Sequence, residues 1–421
     1  MSNDTRNDAR DSRFERIKTE VVSGGTQVKV DPPATPGSRA AGAALWIGGL
    51  TALGLASLWM LAVVVGIILS VVLHEFGHYW TARRSGMKVT QFFVGFGPRV
   101  WSTRRNGVEY GLRVIPLGGF VKIVGMTNVD TVAEADEPMT YRQGTYARRM
   151  WVITAGSAMH MIIALVLVVG LYTTAGRYTE TGSVRIYQVL DGTPAAAAGL
   201  RANDVVTAVG GTAVTTGDQF RATLGVIVPG TAVPLSIVRD GTQMTLTATL
   251  IQSPGSAKIK GYLGVGSDSR ARVSMSVTKA MVRGPQDLAT AVGQSIVGFT
   301  RVLNPINVWG HLNGSNTDIT SRPGTVVGIT KISSAVGKND GWAGIIELLA
   351  LINISVGVIN LFPLLPLDGG HAAIATYERV RSRRGKRYYA DVNKLMPVAA
   401  VCIALLAFMF LTGLYLDTVK G

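Results

Sequence analysis

The sequence predicts a polytopic α-helical membrane protein of about four transmembrane helices, which also carries a small β-sheet and one separate α+β domain. Hydrophobic residues make up 47% of its 421 residues and charged residues only 16%, a balance that soluble domains rarely have. Four apolar segments are near or above the roughly 20 residues that a spanning helix needs. Two stretches between these segments instead have the alternating pattern and the turn residues of short strands.

The apolar segments set the number and direction of the predicted spans. They cover residues 40–82, 150–175, 342–366 and 395–416. The first is long enough for two short spans, but its only breakers between Ala40 and Trp59 are glycines, so we expect one span over residues 57–82 rather than a helical hairpin. Basic residues follow the first span, precede the second and separate the last two, which predicts that those loops are cytoplasmic. Residues 177–341 then lie on the other side.

Composition excludes several other classes of protein. The formal net charge is +15, but the lysines and arginines cluster beside apolar runs, so we expect contact with the lipid bilayer and no nucleic-acid partner. Cys402 is the only cysteine, which excludes a disulfide within the chain and a thiolate metal site. The first 39 residues are polar, mix charges of both signs and end in a Pro/Gly stretch. We expect them to be disordered rather than to form a signal peptide.

The strongest chemical signal is the segment His-Glu-Phe-Gly-His, in which His74 and His78 lie four residues apart. On a helix these two residues share one face and can bind a single cation through imidazole nitrogens. Glu75 then lies beside the metal rather than on it, where its carboxylate can act as general base on a water that zinc acidifies. The segment ends an apolar span, where burying two imidazoles and a carboxylate is costly unless they bind something.

A zinc hydrolase needs a third protein ligand, and the end of the third apolar segment offers Asp368, the only acidic residue there. Two prolines before it break the helix and free backbone groups; the alternative is a simple helix-ending Asp-Gly-Gly turn. Asn360 can bind the scissile carbonyl or the oxyanion, or it makes an interhelical hydrogen bond. His371 is either a fourth ligand or an interfacial residue, and the mid-span His160 is either a helix–helix hydrogen bonder or an accessory of the site.

The two motifs, in this order, resemble the signature of the bacterial site-2 protease family of intramembrane zinc metalloproteases, in the branch with an external PDZ domain that includes the actinobacterial anti-sigma-factor proteases. The resemblance covers about residues 57–416. It implies a multi-pass enzyme of the bacterial plasma membrane, with one Zn²⁺, that cleaves single-span membrane proteins. It further implies that the substrate is an anti-sigma factor or a similar regulator, which an upstream site-1-type protease has already cut outside the cytoplasm.

The resemblance also assigns roles to residues and segments. The implied metal ligands are His74, His78 and Asp368, and the implied catalytic residues are Glu75 and Asn360. The strand-rich stretch after the first span is similar to the family's membrane-reentrant sheet, whose edge strand holds an unwound substrate. The implied order begins with a disordered N-terminal extension with an apolar end (1–56) and a first part of the protease core (57–175). An extracytoplasmic PDZ-like domain (183–266), an amphipathic connector (267–341) and a second part of the core (342–416) follow. The family's second-span Ala-Gly-Pro-x-x-Asn reads Ala155-Gly-Ser-Ala-Met-His160 here, which departs from it at the proline and at the final asparagine.

Two other functions can use the same residues. A membrane metal transporter can use them as a transit site, and a PDZ-bearing membrane scaffold can retain them as a relict. Glu75 distinguishes a transporter from a protease. Hydrolysis needs a general base that is not a metal ligand, whereas transport tolerates glutamine at this position. The presence of all three ligands and the base argues against a relict site.

Overall fold

The computed structural model describes residues 36–126, 130–253, 260–316, 318, 321–382 and 387–419. Residues 1–35 of the N-terminal stretch that the sequence predicts to be disordered lie outside the described residues. The chain forms two compact units. The first consists of Met1–Gly170 together with Met281–Gly421, and the second is Leu171–Ala280.

The first apolar segment forms two helices rather than one. Helix α1 covers Pro36–Ala56 and α2 covers Leu58–Arg84. Ser57 separates them, because its backbone is extended and its hydroxyl accepts a hydrogen bond from the Met60 N–H at 3.5 Å, which caps α2. Residues 36–56, which the sequence assigned to the disordered extension with an apolar end, are therefore helical, and that part of the prediction is wrong. The boundary is set by an N-cap serine, a weaker sequence signal than the proline or glycine pairs that usually mark a turn.

A small sheet follows α2. Strand β1 covers Val89–Arg105 and β2 covers Val108–Ile123, and both change register repeatedly along their length. Residues 89–94 form the middle of the sheet, because they pair with residues 119–123 and also lie opposite residues 109–112. Within the described part of the chain, residues 119–123 have a strand neighbour on one side only. One edge of the sheet is therefore open.

Helix α3 covers Tyr146–Thr174, and the second compact unit begins near its end. That unit is built on antiparallel strands β3 to β10 and two short helices, α4 and α5. The strands cover Arg177–Val189, Val205–Val209, Thr212–Ala213, Ala232–Arg239, Thr242–Thr249, Ile251–Gln252, Gly261–Tyr262 and Val265–Val273, and the helices cover Pro194–Ala197 and Gly217–Gly225. The main sheet has the order β10-β3-β4-β6-β7, with β5 paired to β4. Its alternate apolar residues form one core with Phe220 of α5.

Five further helices follow. They are α6 at Val277–Val302, α7 at Pro305–Asn313, α8 at Val326–Ile359, α9 at Asp368–Arg381 and α10 at Val392–Val419. Helix α8 bends at Gly341, whose φ of 59° lies outside the helical region, so its second half starts at the residue where the sequence predicts the third span. Helix α6 is amphipathic, as predicted, and packs Leu288 and Val292 against buried residues of α3 and α8.

Within the described residues, five helices are long and apolar enough to cross a membrane, namely α1, α2, α3, α8 and α10. The sequence predicted about four. The additional candidate is α1, which the single-span interpretation of the first segment left out. Helices α2, α3 and α10 coincide with the predicted spans to within about four residues at each end. Helix α8, at Val326–Ile359, begins and ends before the predicted third span of residues 342–366.

Candidate metal centre

The two histidines of the metal motif lie on one face of α2, near its C-terminal end. His74 is buried and His78 is half-buried, and their Nε2 atoms are 3.2 Å apart. Nδ1 of His78 lies 2.8 Å from the carbonyl oxygen of Val152 in α3. Because a carbonyl only accepts hydrogen bonds, Nδ1 carries the proton. The lone pair of His78 is therefore on Nε2, the atom that faces the other imidazole and is available to a metal.

Asp368 reaches the same place from a distant part of the chain. Helix α8 ends at Ile359 and the chain turns back, so that Asp368 begins α9. The Gly369 N–H donates a hydrogen bond of 2.7 Å to the Asn360 carbonyl, which closes the turn. Only glycine fits at this position, because a Cβ on Gly369 would lie 2.2 Å from the carbonyl oxygen of Leu361. The tight turn brings the carboxylate against the two imidazoles.

The three side chains place their donor atoms close together. Oδ2 of Asp368 lies 3.3 Å from Nε2 of His78 and 3.6 Å from Nε2 of His74, so the three atoms form a nearly equilateral triangle, which we call the metal triangle. A tetrahedral zinc site with bonds of about 2.0–2.2 Å separates its ligand atoms by about 3.3–3.6 Å. Oδ2 is also buried without a hydrogen-bond donor among the described residues, which is unusual unless a metal takes the donor's place. The donor set fits one zinc ion with a fourth position left open.

Glu75 lies beside the metal triangle but is not part of it. Its carboxylate lies near the backbone of Val121, and its Cγ lies 3.0 Å from the place that a Cβ of Gly119 would occupy. Both contacts are made by the open edge of β2. The sheet therefore holds the carboxylate close to the ligand atoms without letting it become one, which is the arrangement that a general base requires.

Asn360 lies at the C-terminal end of α8, one tight turn before Asp368. Its backbone carbonyl accepts the hydrogen bond from Gly369 that closes this turn. Its side-chain amide makes no hydrogen bond to the part of the chain that the structure describes, so the interhelical bond that the sequence left as an alternative is not formed there. The amide is available to a substrate.

His160 belongs to a buried hydrogen-bond network behind His74. Their ring centroids are 5.0 Å apart, and Nδ1 of His160 lies 2.8 Å from Oδ1 of Asn353. The amide nitrogen of Asn353 donates to the Leu349 carbonyl at 2.8 Å and to the Ser70 hydroxyl at 3.1 Å. The amide oxygen must therefore accept, and His160 donates to it through Nδ1. This network links α2, α3 and α8.

Neither His160 nor His371 is a ligand in this geometry. Among the described residues, the group of ligand atoms that all lie within 4.8 Å of one another consists of the metal triangle alone. His371 lies three residues after Asp368 in α9. The predicted helix–helix role of His160 is consistent with its bond to Asn353, and the fourth-ligand alternative for His371 is not supported.

Gly156 is a close contact of α3 with both histidines, and sequence reasoning missed it. A Cβ here would lie 2.4 Å from Cε1 of His74 and 2.4 Å from Nε2 of His78, far inside normal contact distance. No local pattern in the sequence indicates that the backbone of Gly156 packs against the two imidazoles. Asn353 was missed as well, although an amide two helical turns before Asn360 in an apolar helix was a usable signal.

Known proteins resemble the chain over most of its length. Residues 62–406 match Peptidase family M50. The zinc metalloprotease Rip1 of Mycobacterium tuberculosis is 37% identical over 390 residues, which cover 83% of this chain and 94% of that protein. Rip1 of Mycolicibacterium smegmatis is 34% identical over 387 residues with the same coverage. The solved PDZ domain of an SdrC-like protein from Listeria monocytogenes aligns at 20% identity with a TM-score of 0.19, covering 21% of this chain and 90% of that one.

The family match begins before the histidines of α2 and ends beyond Asp368, so it includes the whole metal triangle. The similarity to zinc metalloproteases identifies zinc as the cofactor, in agreement with the donor set. It also confirms the resemblance that the two sequence motifs indicated. The chain is a membrane protein with several apolar helices, and it belongs to peptidase family M50 as an intramembrane zinc metalloprotease.

Proposed function

We propose that the chain hydrolyses a peptide bond within, or at the cytoplasmic edge of, single-span membrane proteins, at one zinc ion held by His74, His78 and Asp368. The observation that carries this proposal is the metal triangle, in which donor atoms from two distant segments lie 3.2 to 3.6 Å apart at the ends of apolar helices. When bound, zinc supplies the Lewis acidity that makes a water molecule nucleophilic near neutral pH.

Glu75 and Asn360 do the proton transfer and the charge stabilisation. Glu75 accepts a proton from the attacking water as the new carbon–oxygen bond forms, and it passes that proton to the leaving nitrogen as the carbon–nitrogen bond breaks. The Asn360 amide donates a hydrogen bond to the oxygen that becomes negative in between. The Val152 carbonyl keeps His78 in the tautomer that a ligand needs.

The open edge of the sheet receives the substrate in extended form. A transmembrane helix bonds its own amides and must unwind before the attacking water can reach a peptide carbonyl. Within the described chain, residues 119–123 have a strand neighbour on one side only, and an extended peptide can add on the other side as a further strand. Because Val121 of this edge also contacts Glu75, an added strand would pass next to the base.

We infer that α1 crosses the membrane as well, which gives five spans. Arginines then flank the cytoplasmic ends of α2 and α3, as the distribution of positive charge requires, and the unit Leu171–Ala280 lies outside the cytoplasm. With only four spans, the charged N-terminal tail would have to be translocated. A fifth span places that tail in the cytoplasm and removes this cost.

The unit Leu171–Ala280 acts as the PDZ-like domain. Its antiparallel sheet carries two short helices and a single apolar core, and domains of this kind bind peptide ends by strand addition. The substrate is an anti-sigma factor or a similar regulator, whose outer part an upstream site-1-type protease has removed. The domain then selects the shortened substrates.

The test compares wild type with Glu75→Gln in liposomes that contain a single-span anti-sigma factor, and it measures cleavage and bound zinc. We expect Glu75→Gln to keep its zinc and to lose cleavage. Equal cleavage by both proteins would refute the role of Glu75. A metal transporter would instead move zinc across the liposome in both variants and cleave nothing, and a scaffold would bind the substrate without either activity.

A further inference from the structure

A cavity of about 430 Å³ lies at the N-terminal end of α3, and none of the roles above uses it. The first turn of α3, the last turns of α9 and residues 387–389 line it. Four arginines but only one carboxylate face the cavity, and they are Arg142, Arg149, Arg379, Arg387 and Glu378. This surplus of positive charge indicates an anionic ligand.

Two of the arginines are already neutralised. Nη2 of Arg149 lies 2.7 Å from Oε2 of Glu378, in a buried ion pair. Nε of Arg142 donates a hydrogen bond of 2.9 Å to Glu137. This pairing lowers the pKa of Glu137 from 4.5 to about 2, so the partner of Arg142 stays ionised at physiological pH. These two pairs form the wall of the cavity and leave no charge for a ligand.

The other two arginines keep their charge. Arg379 and Arg387 are both exposed, and neither has a carboxylate within ion-pair distance in the described ranges. Arg387 only donates to the Gln143 carbonyl, at 3.0 Å. Tyr146 and Ala147, the first residues of the 29-residue helix α3, also line the cavity, and their peptide N–H groups lie at the positive end of that helix. Two uncompensated guanidinium groups above a helix N-terminus form an anion site, and a phosphate fits it best.

The position of the cavity indicates that the phosphate belongs to a membrane lipid. Helix α3 is apolar and long enough to span a membrane, so its first turn lies at the surface of the bilayer. Trp151, whose side chain is 56% exposed, lies just beyond and is typical of the lipid–water interface. Basic pockets at this level meet phospholipid headgroups on the leaflet that positive loops face. We propose that this cavity binds the phosphate of an anionic phospholipid.

Both helices that line the cavity also contact the metal triangle, because α9 begins with Asp368 and α3 supports His78. Helix α9 begins at Asp368 and reaches the cavity with Arg379, about 16 Å along its axis. Helix α3 contributes the Val152 carbonyl to His78 three residues after its last arginine, Arg149. A bound headgroup would hold the two helix ends together, and this effect on catalysis rests on the proposed function. Binding itself does not.

The test measures lipid retention by the purified, delipidated full chain in detergent, with native mass spectrometry. The probes are phosphatidylglycerol and phosphatidylcholine of equal chain length. We expect the wild type to prefer phosphatidylglycerol, and Arg379→Gln with Arg387→Gln to lose this preference by roughly 30-fold, or about five-fold for each arginine. Both side chains are exposed, so the variant should fold, and its circular dichroism and bound zinc report whether it does.

The matched control is Arg104→Gln with Arg105→Gln, which removes two other exposed charges, at the tip of the hairpin between β1 and β2. It should keep the wild-type preference. Equal losses in both double variants, or an unchanged preference in the first, would overturn the proposal. Displacement of the lipid by millimolar inorganic phosphate would also overturn it, because the site would then bind a free anion. Glu75→Gln should bind lipid like wild type, so that a failure of the proposed catalytic mechanism does not affect this result.

Discussion

Replacing Gly156 by alanine adds a single methyl group at the contact between α3 and the metal ligands. That carbon would lie 2.4 Å from Cε1 of His74 and from Nε2 of His78, whereas non-bonded carbon atoms keep a separation of about 3.5–4.0 Å. The helix or the imidazoles must therefore move by about 1 Å. A misplacement of that size costs about 100-fold in rate, or about 2.7 kcal/mol of transition-state stabilisation. We expect Gly156→Ala to lose about this much activity and part of its zinc.

The assay measures cleavage of a single-span substrate in liposomes together with zinc per protein molecule. Gly170→Ala is the matched control, because it makes the same change in the same helix, where no neighbouring segment of the described chain comes within 4 Å of the new carbon. It should stay within about two-fold of wild type. Gly156→Ala with wild-type cleavage and a full complement of zinc would show that α3 does not pack against the ligands as described.

Three further predictions follow from the same geometry. Asn353→Leu leaves the Nδ1–H of His160 without an acceptor, so we expect a loss of about 1–3 kcal/mol in the free energy of unfolding, measured by thermal denaturation; an unchanged midpoint would contradict the network. The folded pKa of Glu137 is about 2, below its ordinary 4.5, so its ion pair stabilises the fold above pH 4.5 and is lost as the pH falls from 4.5 towards 2. Glu137→Gln should therefore lose less thermal stability than wild type over that interval, and identical pH profiles would refute this. In a chain without its single native cysteine, Phe120→Cys on the open edge of the sheet should form a disulfide with a cysteine near the scissile bond of a trapped substrate, whereas Trp101→Cys in the other strand should not; the reverse pattern would exclude strand addition at this edge.

The metal ligands were predictable because their signals are local. His74 and His78 are four residues apart in an apolar run, which specifies one helix face. Asp368 follows two prolines and precedes two glycines, and these residue types end one helix and begin another at a defined place. The family match covers both motifs. The metal-ligand roles of these three residues and the catalytic roles of Glu75 and Asn360 stay predictions.

The remaining features depend on contacts between distant segments, which local patterns do not specify. The break at Ser57 is made by one hydrogen bond, from the Met60 N–H to the Ser57 hydroxyl, and the surrounding run of apolar residues and glycines does not indicate it. Gly156 and Asn353 act on residues of other helices. The cavity that we propose binds a lipid phosphate is lined by the start of α3 and by the end of α9, which lies more than 200 residues later in the chain. Basic residues in the sequence indicated membrane topology, but not that some of them converge on one cavity.

The most direct test of the metal triangle is zinc X-ray absorption spectroscopy on the purified Glu75→Gln protein, which should hold zinc without turning over substrate. The ligand set of His74, His78 and Asp368 predicts two imidazole nitrogens and oxygen ligands, at about 2.0–2.2 Å from the metal. A spectrum with three imidazoles would contradict it, because His160 or His371 would then have to replace the carboxylate.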